Sequence, residues 1–454
     1  MKPQRIILTL ILCGASFASA RAQAQQPQPP VPQAQATPPP AAPASGAVLT
    51  LQQAEELALK NHPEVQSAQY AALASQQFVR EQLSSYYPTV YGSITGTVAD
   101  RDARLGAGYL TTSALYNKFG QGVTVDQLIT DSGRTPNLVA SARLQARAAE
   151  QSAQATKYDV LLAVNHAFFE VQRAQALEKV AEETLAERQV VDDQVKALVQ
   201  NKLKSTLDQS FADVNLAQAR LLLITTRNNI SKAFAELGRA LGSDTVQTYS
   251  LREEPMPGAP PDNPEPLVAQ AMNDRPELTA ARLGRDAAYK FAKAERDLSL
   301  PTVEAVGVAG ALPIIEQLTS RLTPDHYEAA AINVNVPIFN GHLFAARRTA
   351  AMMHARGADQ DVRNEQERIA RDVRDAWADE ATAFQKIAET EELVNNANLA
   401  LALAQGRYNL GLSSIVELNQ AQLGQTEAQI QNVNAKYDYQ IANAALQYQL
   451  GALR

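Results

Sequence analysis

The chain states its own architecture twice, and that duplication limits the folds open to it more than any other feature. Asn61-His62-Pro63-Glu64-Val65 returns as Asp274-Arg275-Pro276-Glu277-Leu278, and Tyr87-Pro88-Thr89-Val90 returns as Leu300-Pro301-Thr302-Val303, both 213 residues later. Leu128-Ile129-Thr130-Asp131-Ser132 then answers Pro337-Ile338-Phe339-Asn340-Gly341 at an offset of 209, which holds through Leu241-Gly242 and Leu450-Gly451. A register that long, slipping in a single loop, marks a duplicated structural unit. Each copy reads helix, strand, loop, strand, very long helix, second long helix.

The copies are bounded by segments of different character. Lys2 and Arg5 precede an apolar run from Ile6 to Leu12 and the small residues Ala18-Ser19-Ala20. This is the pattern of a secretory signal peptide over residues 1–22. Residues 23–48, mostly Gln, Pro and Ala, bury little and read as an extended tether. The first copy spans 49–250, a Pro-rich linker 251–264, and the second copy 265–454. The single cysteine, Cys13, falls inside the signal, so the mature chain has no thiol chemistry. The formal charge of −7 becomes −10 once Lys2, Arg5 and Arg21 leave. Without a basic stripe, an acidic exported chain is a poor nucleic-acid binder.

Periodicity separates strands from helices. Thr50 is placed to cap a helix that runs to about Ser84, broken at Pro63. Within 87–130, Val90, Gly92, Ile94, Gly96 and Val98 alternate with Tyr91, Ser93, Thr95 and Thr97, and Val123 and Val125 alternate with Thr124 and Asp126. The second hairpin, 301–339, is apolar on both faces from Val303 to Gly310. Ile332, Val334, Val336 and Ile338 then alternate with polar or small residues. Such strands suit an outer-membrane barrel and equally a half-buried soluble hairpin. Long helices follow. Between Pro136 and Gln200 the only helix breaker is Pro136 itself, and between His342 and Asn409 there are only Gly357 and Gly406. At ~1.5 Å per residue each such stretch reaches about 100 Å. With their partners these give helical hairpins at 136–242 and 342–451. Their apolar residues are chiefly Ala, Leu and Val in narrow seams, so each hairpin needs neighbours. Four strands cannot close a barrel in lipid, whereas three copies would supply twelve.

In order, and twice over, these features resemble the TolC-type outer-membrane efflux proteins. The resemblance rests on Leu51-Gln52-Gln53-Ala54, Ala58, Asn61-His62-Pro63-Glu64, the Tyr87-Pro88 strand entry, Val336-Pro337-Ile338-Phe339-Asn340-Gly341, and Tyr408-Asn409-Leu410-Gly411-Leu412-Ser413. It covers essentially everything after the tether. It implies an internally duplicated α+β membrane protein working as a homotrimer. Four strands per protomer complete a twelve-stranded barrel in the outer-membrane lipid, continuous with a long periplasmic α-helical barrel. The implied activity is passive conduction of small molecules, metal ions or polypeptides, in a tripartite efflux or type I secretion system. Its partners are a periplasmic adaptor protein and an inner-membrane pump. No enzyme chemistry and no cofactor are implied. A periplasmic coiled-coil scaffold or adaptor is the alternative, disfavoured because adaptors carry one helical hairpin flanked by β-rich domains.

The resemblance also assigns residues. Asp208 and Tyr408 match a gate link between the two periplasmic tips. Ser413 stands where a family member has arginine, Glu417 keeps one acidic ring of the tunnel mouth, and Gln420 makes a second neutral. Three Glu417 carboxylates would attract cations. Gly411-Leu412-Ser413 matches an adaptor-contact motif. The first tip keeps Leu203 and Ser205 but replaces the glycine with Lys202, so the two contacts would be unequal. Alternation alone makes Tyr91, Thr95, Thr124 and Asp126 pore-lining, and Trp377 reads as packing. The five histidines lack metal-ligand spacing, so no metal site is expected.

Overall fold

The computed structural model describes residues 48–98, 104–105, 113–114, 118–243, 248–311 and 326–453. The signal peptide, the tether before Val48 and most of the loop 100–120 lie outside the described residues.

The first copy opens with β1 (Val48–Leu49), α1 (Leu51–Asn61) and α2 (Pro63–Ser84). Thr50 forms the expected cap, with Gln53 completing a reciprocal capping box. Pro63 takes the first position of α2, where its missing N–H costs nothing, and His62 caps the Glu64 amide through Nδ1. Then come β2 (Thr89–Thr97), the two-residue strands β3 (Arg104–Leu105) and β4 (Ser113–Ala114), β5 (Lys118–Thr130), α3 (Arg134–Gln200) and α4 (Thr206–Ala240). After β6 (Ser250–Leu251) the second copy gives α5 (Glu265–Asp274), α6 (Pro276–Asp297), β7 (Thr302–Ala311), β8 (His326–Asn335), α7 (Leu343–Asn409) and α8 (Ile415–Gln449). The duplication is kept to the residue in the long helices: α3 and α7 have 67 residues each, α4 and α8 have 35 each.

The two hairpins fuse into one antiparallel sheet, ordered β2-β5-β7-β8. The joining pair, β5 with β7, sets Thr124 opposite Val308 and Asp126 opposite Val306. In the second hairpin the strand starts earlier than alternation suggests and ends at Asn335. Pro337 denies the ladder a donor and restricts Val336, so residues 336–339 leave the sheet. Strand passes to long helix through a left-handed pair in each copy, Ser132-Gly133 and Gly341-His342. The glycine occupies the first position in one copy and the second in the other, so each turn retains one strained non-glycine residue.

The helices form a single layer rather than a bundle. The long helix α3 packs on α2 and α4 along one side and on α6 and α8 along the other, while α7 packs on α5, α6 and α8. The main core surrounds Val164, Phe168, Val171, Phe234 and Leu237. A sister core surrounds Leu278, Ile369, Val373 and Leu446.

The linker 251–264 is an ordered strap. Its prolines remove amide donors, and its carbonyls accept from a row of side chains on three helices. Gln172 Nε2 on α3 donates to Arg252 O at 2.7 Å, and Gln440 Nε2 on α8 donates to Glu254 O at 3.3 Å. Tyr439 donates to Gly258 O, and Trp377 Nε1 on α7 donates to Pro261 O at 2.7 Å. Trp377 is therefore a clamp as well as packing.

The copies diverge sharply at one core position. Where the first copy pairs Val171 with Phe234, the 209-residue offset places Glu380 and Asn443. Glu380 is 1% exposed, accepts from Asn443 Nδ2 at 2.6 Å through Oε1, and leaves Oε2 without a partner. Burial raises its pKa above the ordinary value of 4.5, and the Asn443 hydrogen bond opposes this more weakly. The folded state thus holds this proton more tightly than the unfolded chain. Its contribution to stability is intact below about 4.5 and is lost as pH rises through the elevated folded value. Glu380→Gln is expected to flatten this part of the dependence of the thermal midpoint on pH. A variant that tracks the parent at every pH would remove Glu380 from the account.

Candidate functional site

Two regions carry the candidate residues: the sheet and the loops at the far ends of the helical hairpins. In the sheet, register decides which side chains share a face. Tyr91 lies opposite Thr124, Asp126 opposite Thr89, and Thr95 opposite Gly120, so the four expected pore-lining residues share one face. The opposite face carries Val90, Ile94, Val123, Val125, Ile332 and Val334, all exposed in the protomer. Along β5 exposure alternates, with Phe119, Gln121, Val123 and Val125 open and Gly120, Gly122, Thr124 and Asp126 half-buried. Glu304, diagonal to Asp126, joins the polar face. It escaped the sequence reading because apolar residues surround it on β7. Among the described residues neither outer strand, β2 or β8, has a partner on its free edge. No helix among the described residues is long and apolar enough to cross a membrane.

The two tips share one turn. The Leu203 amide donates to Leu198 O and the Lys202 amide to Val199 O, at 2.8 and 2.9 Å. In the second tip Leu412 reaches Arg407 O and Gly411 reaches Tyr408 O, at 2.8 and 3.0 Å. Both are Schellman ends needing a left-handed residue, and Lys202 (φ 61°) adopts it as Gly411 (φ 75°) does. Lysine in place of glycine therefore leaves the turn intact and adds strain instead. Leu203 and Leu412 stand out equally, 68% and 67% exposed.

The residues expected at a gate are arranged differently from expectation. Asp208 Oδ2 accepts from the Ser205 amide at 3.0 Å and from Ser205 Oγ at 2.9 Å, while Ser205 Oγ caps the Asp208 amide. This reciprocal cap occupies the carboxylate, and the expected Asp208–Tyr408 hydrogen bond does not form. The Ser-x-x-Asp spacing of a capping box was the signal for it. Tyr408 is 2% exposed, packed with Val191, Val195, Ile415 and Leu418, with its hydroxyl unpartnered. Desolvation first, and the charge of Asp208 second, raise its pKa. Lys204 Nζ lies 4.2 Å from the Tyr408 ring centre, a cation–π contact. Ser414 caps α8 through the Glu417 amide, so it is Ser414 rather than Ser413 that corresponds to Ser205. Ser413 is half-buried with its hydroxyl unpartnered, and Gln420 is exposed. Glu417 is not a free acidic ring position: Arg407 Nε sits 3.2 Å from its Oε1. Behind the tips, Lys196 bridges the buried Asp192 (2.7 Å) and Asp213 (3.0 Å), tying α3 to α4. Among the described residues no group of three His, Cys, Asp or Glu is placed to hold a metal ion.

An apolar-faced four-stranded sheet on a layer of very long helices is the arrangement of an outer-membrane exit channel. The outer membrane efflux protein family matches residues 55–243 and 267–452, one match per copy, and the chain belongs to that family. It is an efflux channel protein of the outer membrane. Outer membrane efflux protein BepC of Brucella suis biovar 1 (strain 1330) is 24% identical over 415 residues, 88% of this chain and 87% of BepC. The crystal structure of a membrane protein from Pseudomonas aeruginosa superposes with a TM-score of 0.77 at 22% identity. It covers 91% of this chain and 98% of that one. The outer membrane protein VceC from Vibrio cholerae gives 0.74 at 18% identity, with 88% and 96% covered. The two structures share this fold.

Left-handed lysine costs about 1–2 kcal/mol, and a glycine there returns roughly 0.4–1 kcal/mol through the unfolded chain. Lys202→Gly is therefore expected to stabilise by roughly 0–1.6 kcal/mol, read as a higher thermal midpoint. A lower midpoint would show that the lysine side chain contributes more than its backbone costs.

Proposed function

We propose that three copies of this chain close a twelve-stranded barrel and a continuous helical tunnel, through which solutes leave the cell without chemical change. The observation that supports this most is the sheet, apolar on one exposed face with a free edge on each side. In lipid those edge amides and carbonyls must pair, and only closure pairs them all. Further copies supply the missing neighbours at the least cost in new surface, since β8 of one can continue into β2 of the next. The same repetition covers Leu207, Phe211, Val214, Leu221 and Ile224, which α4 exposes, and Leu393, Leu399 and Leu403 on α7.

On this reading Tyr91, Thr95, Thr124 and Asp126 face the lumen. The tips, with Asp208, Tyr408, Ser413, Glu417 and Gln420, form the periplasmic constriction. Its closure in one protomer rests on Tyr408 packing, with the exposed Arg407–Glu417 pair beside it. The adaptor contact is Leu203, Ser205, Gly411, Leu412 and Ser413. It consists of two exposed leucines on matching turns, so the two contacts per protomer are alike in shape and differ in charge. The partners are a periplasmic adaptor and an inner-membrane pump.

Detergent-purified protein is expected to run at three times the protomer mass and to insert discrete channels into planar bilayers. A water-soluble monomer that inserts none would overturn the reading and favour a periplasmic scaffold. In cells, Leu203→Ser with Leu412→Ser is expected to abolish export while single-channel conductance in bilayers stays at the parental value. Undiminished export would remove the leucines from the adaptor contact.

A further inference from the structure

The charges at the two tips carry an inference that rests on the tunnel reading and deepens it. From Leu198 to Asp208 and from Arg407 to Glu417 the chain holds three cations, Lys202, Lys204 and Arg407, against two anions, Asp208 and Glu417. Both anions are engaged. Asp208 is turned inward to cap its own helix, and Glu417 is paired with Arg407. The cations are less compensated. Lys202, at the crest of the first turn, has no carboxylate partner among the described residues. Lys204 is held over the Tyr408 ring rather than by an acid. An exposed pair such as Arg407–Glu417, 57% and 45% open, adds little stability. Its two charges nevertheless lie at one level of the tunnel and cancel there whether or not the bond is formed at a given instant. The other acids near the tips sit further back along the helices. Asp192 and Asp213 share Lys196, and Asp193 accepts from Gln189 at 3.1 Å. Between Leu393 and Gly406 α7 carries no charge, and the next acid on α8 after Glu417 is Glu427.

We propose that the tunnel mouth favours anions, and that Lys202, Lys204 and Arg407 set this preference. Each protomer brings a net charge of +1 to the outermost turns, and three protomers surround one narrow opening. Rings of charged side chains select by sign where the passage is tightest. The cargo class that fits is anionic or net-acidic solutes, and Glu417 acts as a partial counterweight rather than as a cation filter.

The test is the zero-current potential of the full chain in a planar bilayer under a KCl gradient. The parent is expected to favour chloride, more strongly near 0.1 M than near 1 M, where the screening length falls from about 10 Å to about 3 Å. Lys202→Gln with Lys204→Gln, and separately Arg407→Gln, are expected to move the potential toward potassium. Glu417→Gln is expected to move it further toward chloride. Damage to the fold cannot produce shifts of both signs. Conducting channels that prefer potassium, or whose potential ignores all four substitutions, overturn the proposal and leave the channel reading standing. A preparation with no channels overturns both.

Discussion

Unpaired backbone at a sheet edge is the constraint on which the rest of the molecule depends. Four antiparallel strands satisfy their ladder internally at β2–β5, β5–β7 and β7–β8, and leave β2 and β8 each with one open side. In water such edges could be solvated, but an apolar face of Val90, Ile94, Val123, Ile332 and Val334 leads into hydrocarbon, where they cannot be. The helices meet the same demand in another form. Alanine-rich seams let α3 lie close against α4, α6 and α8, yet the layer remains one helix thick. Among the described residues the sheet edges and the helix layer are thus both left open to further neighbours.

Duplication supplies this wall economically, and the departures from exact repetition show where the halves have separate duties. The glycine exchange between Ser132-Gly133 and Gly341-His342 preserves one turn with different strain. The tip turn survives the exchange of Gly411 for Lys202 because its hydrogen bonds are all backbone, so the substitution changes charge while keeping shape. Val171 and Phe234 give way to Glu380 and Asn443 beneath the strap, and a purely apolar contact becomes a proton-sensitive one. Depleted of amide donors by its prolines, the strap draws one or more donors from α3, α7 and α8 onto its carbonyls and so ties the two copies together at their middle.

Local sequence determined much of this. Helix ends at Thr50, Pro63 and the paired leucine–glycine positions 241–242 and 450–451 follow from capping chemistry and backbone preference, which act over a few residues. The alternation of β2 and β5 assigned Tyr91, Thr95, Thr124 and Asp126 to one face because strand period is a local property. Even the engagement of Asp208 was legible, since Ser205 and Asp208 stand at capping-box spacing. The end of β8 at Asn335 was legible in Pro337, although the alternation running on to Ile338 pointed past it.

Tertiary structure alone decided what depends on distant partners. That β5 and β7, far apart in sequence, pair to make one sheet is a matter of how the two copies dock. Arg407 reaches Glu417 only because the turn between them reverses the chain, and Tyr408 loses water only because four helix faces close around it. The strap's carbonyls meet Gln172, Gln440, Tyr439 and Trp377 through contacts across 80 to 186 residues, which no periodicity encodes. Pattern sets the period and the ends of an element. The identity of its neighbours, and with it the fate of each buried polar group, is settled by packing.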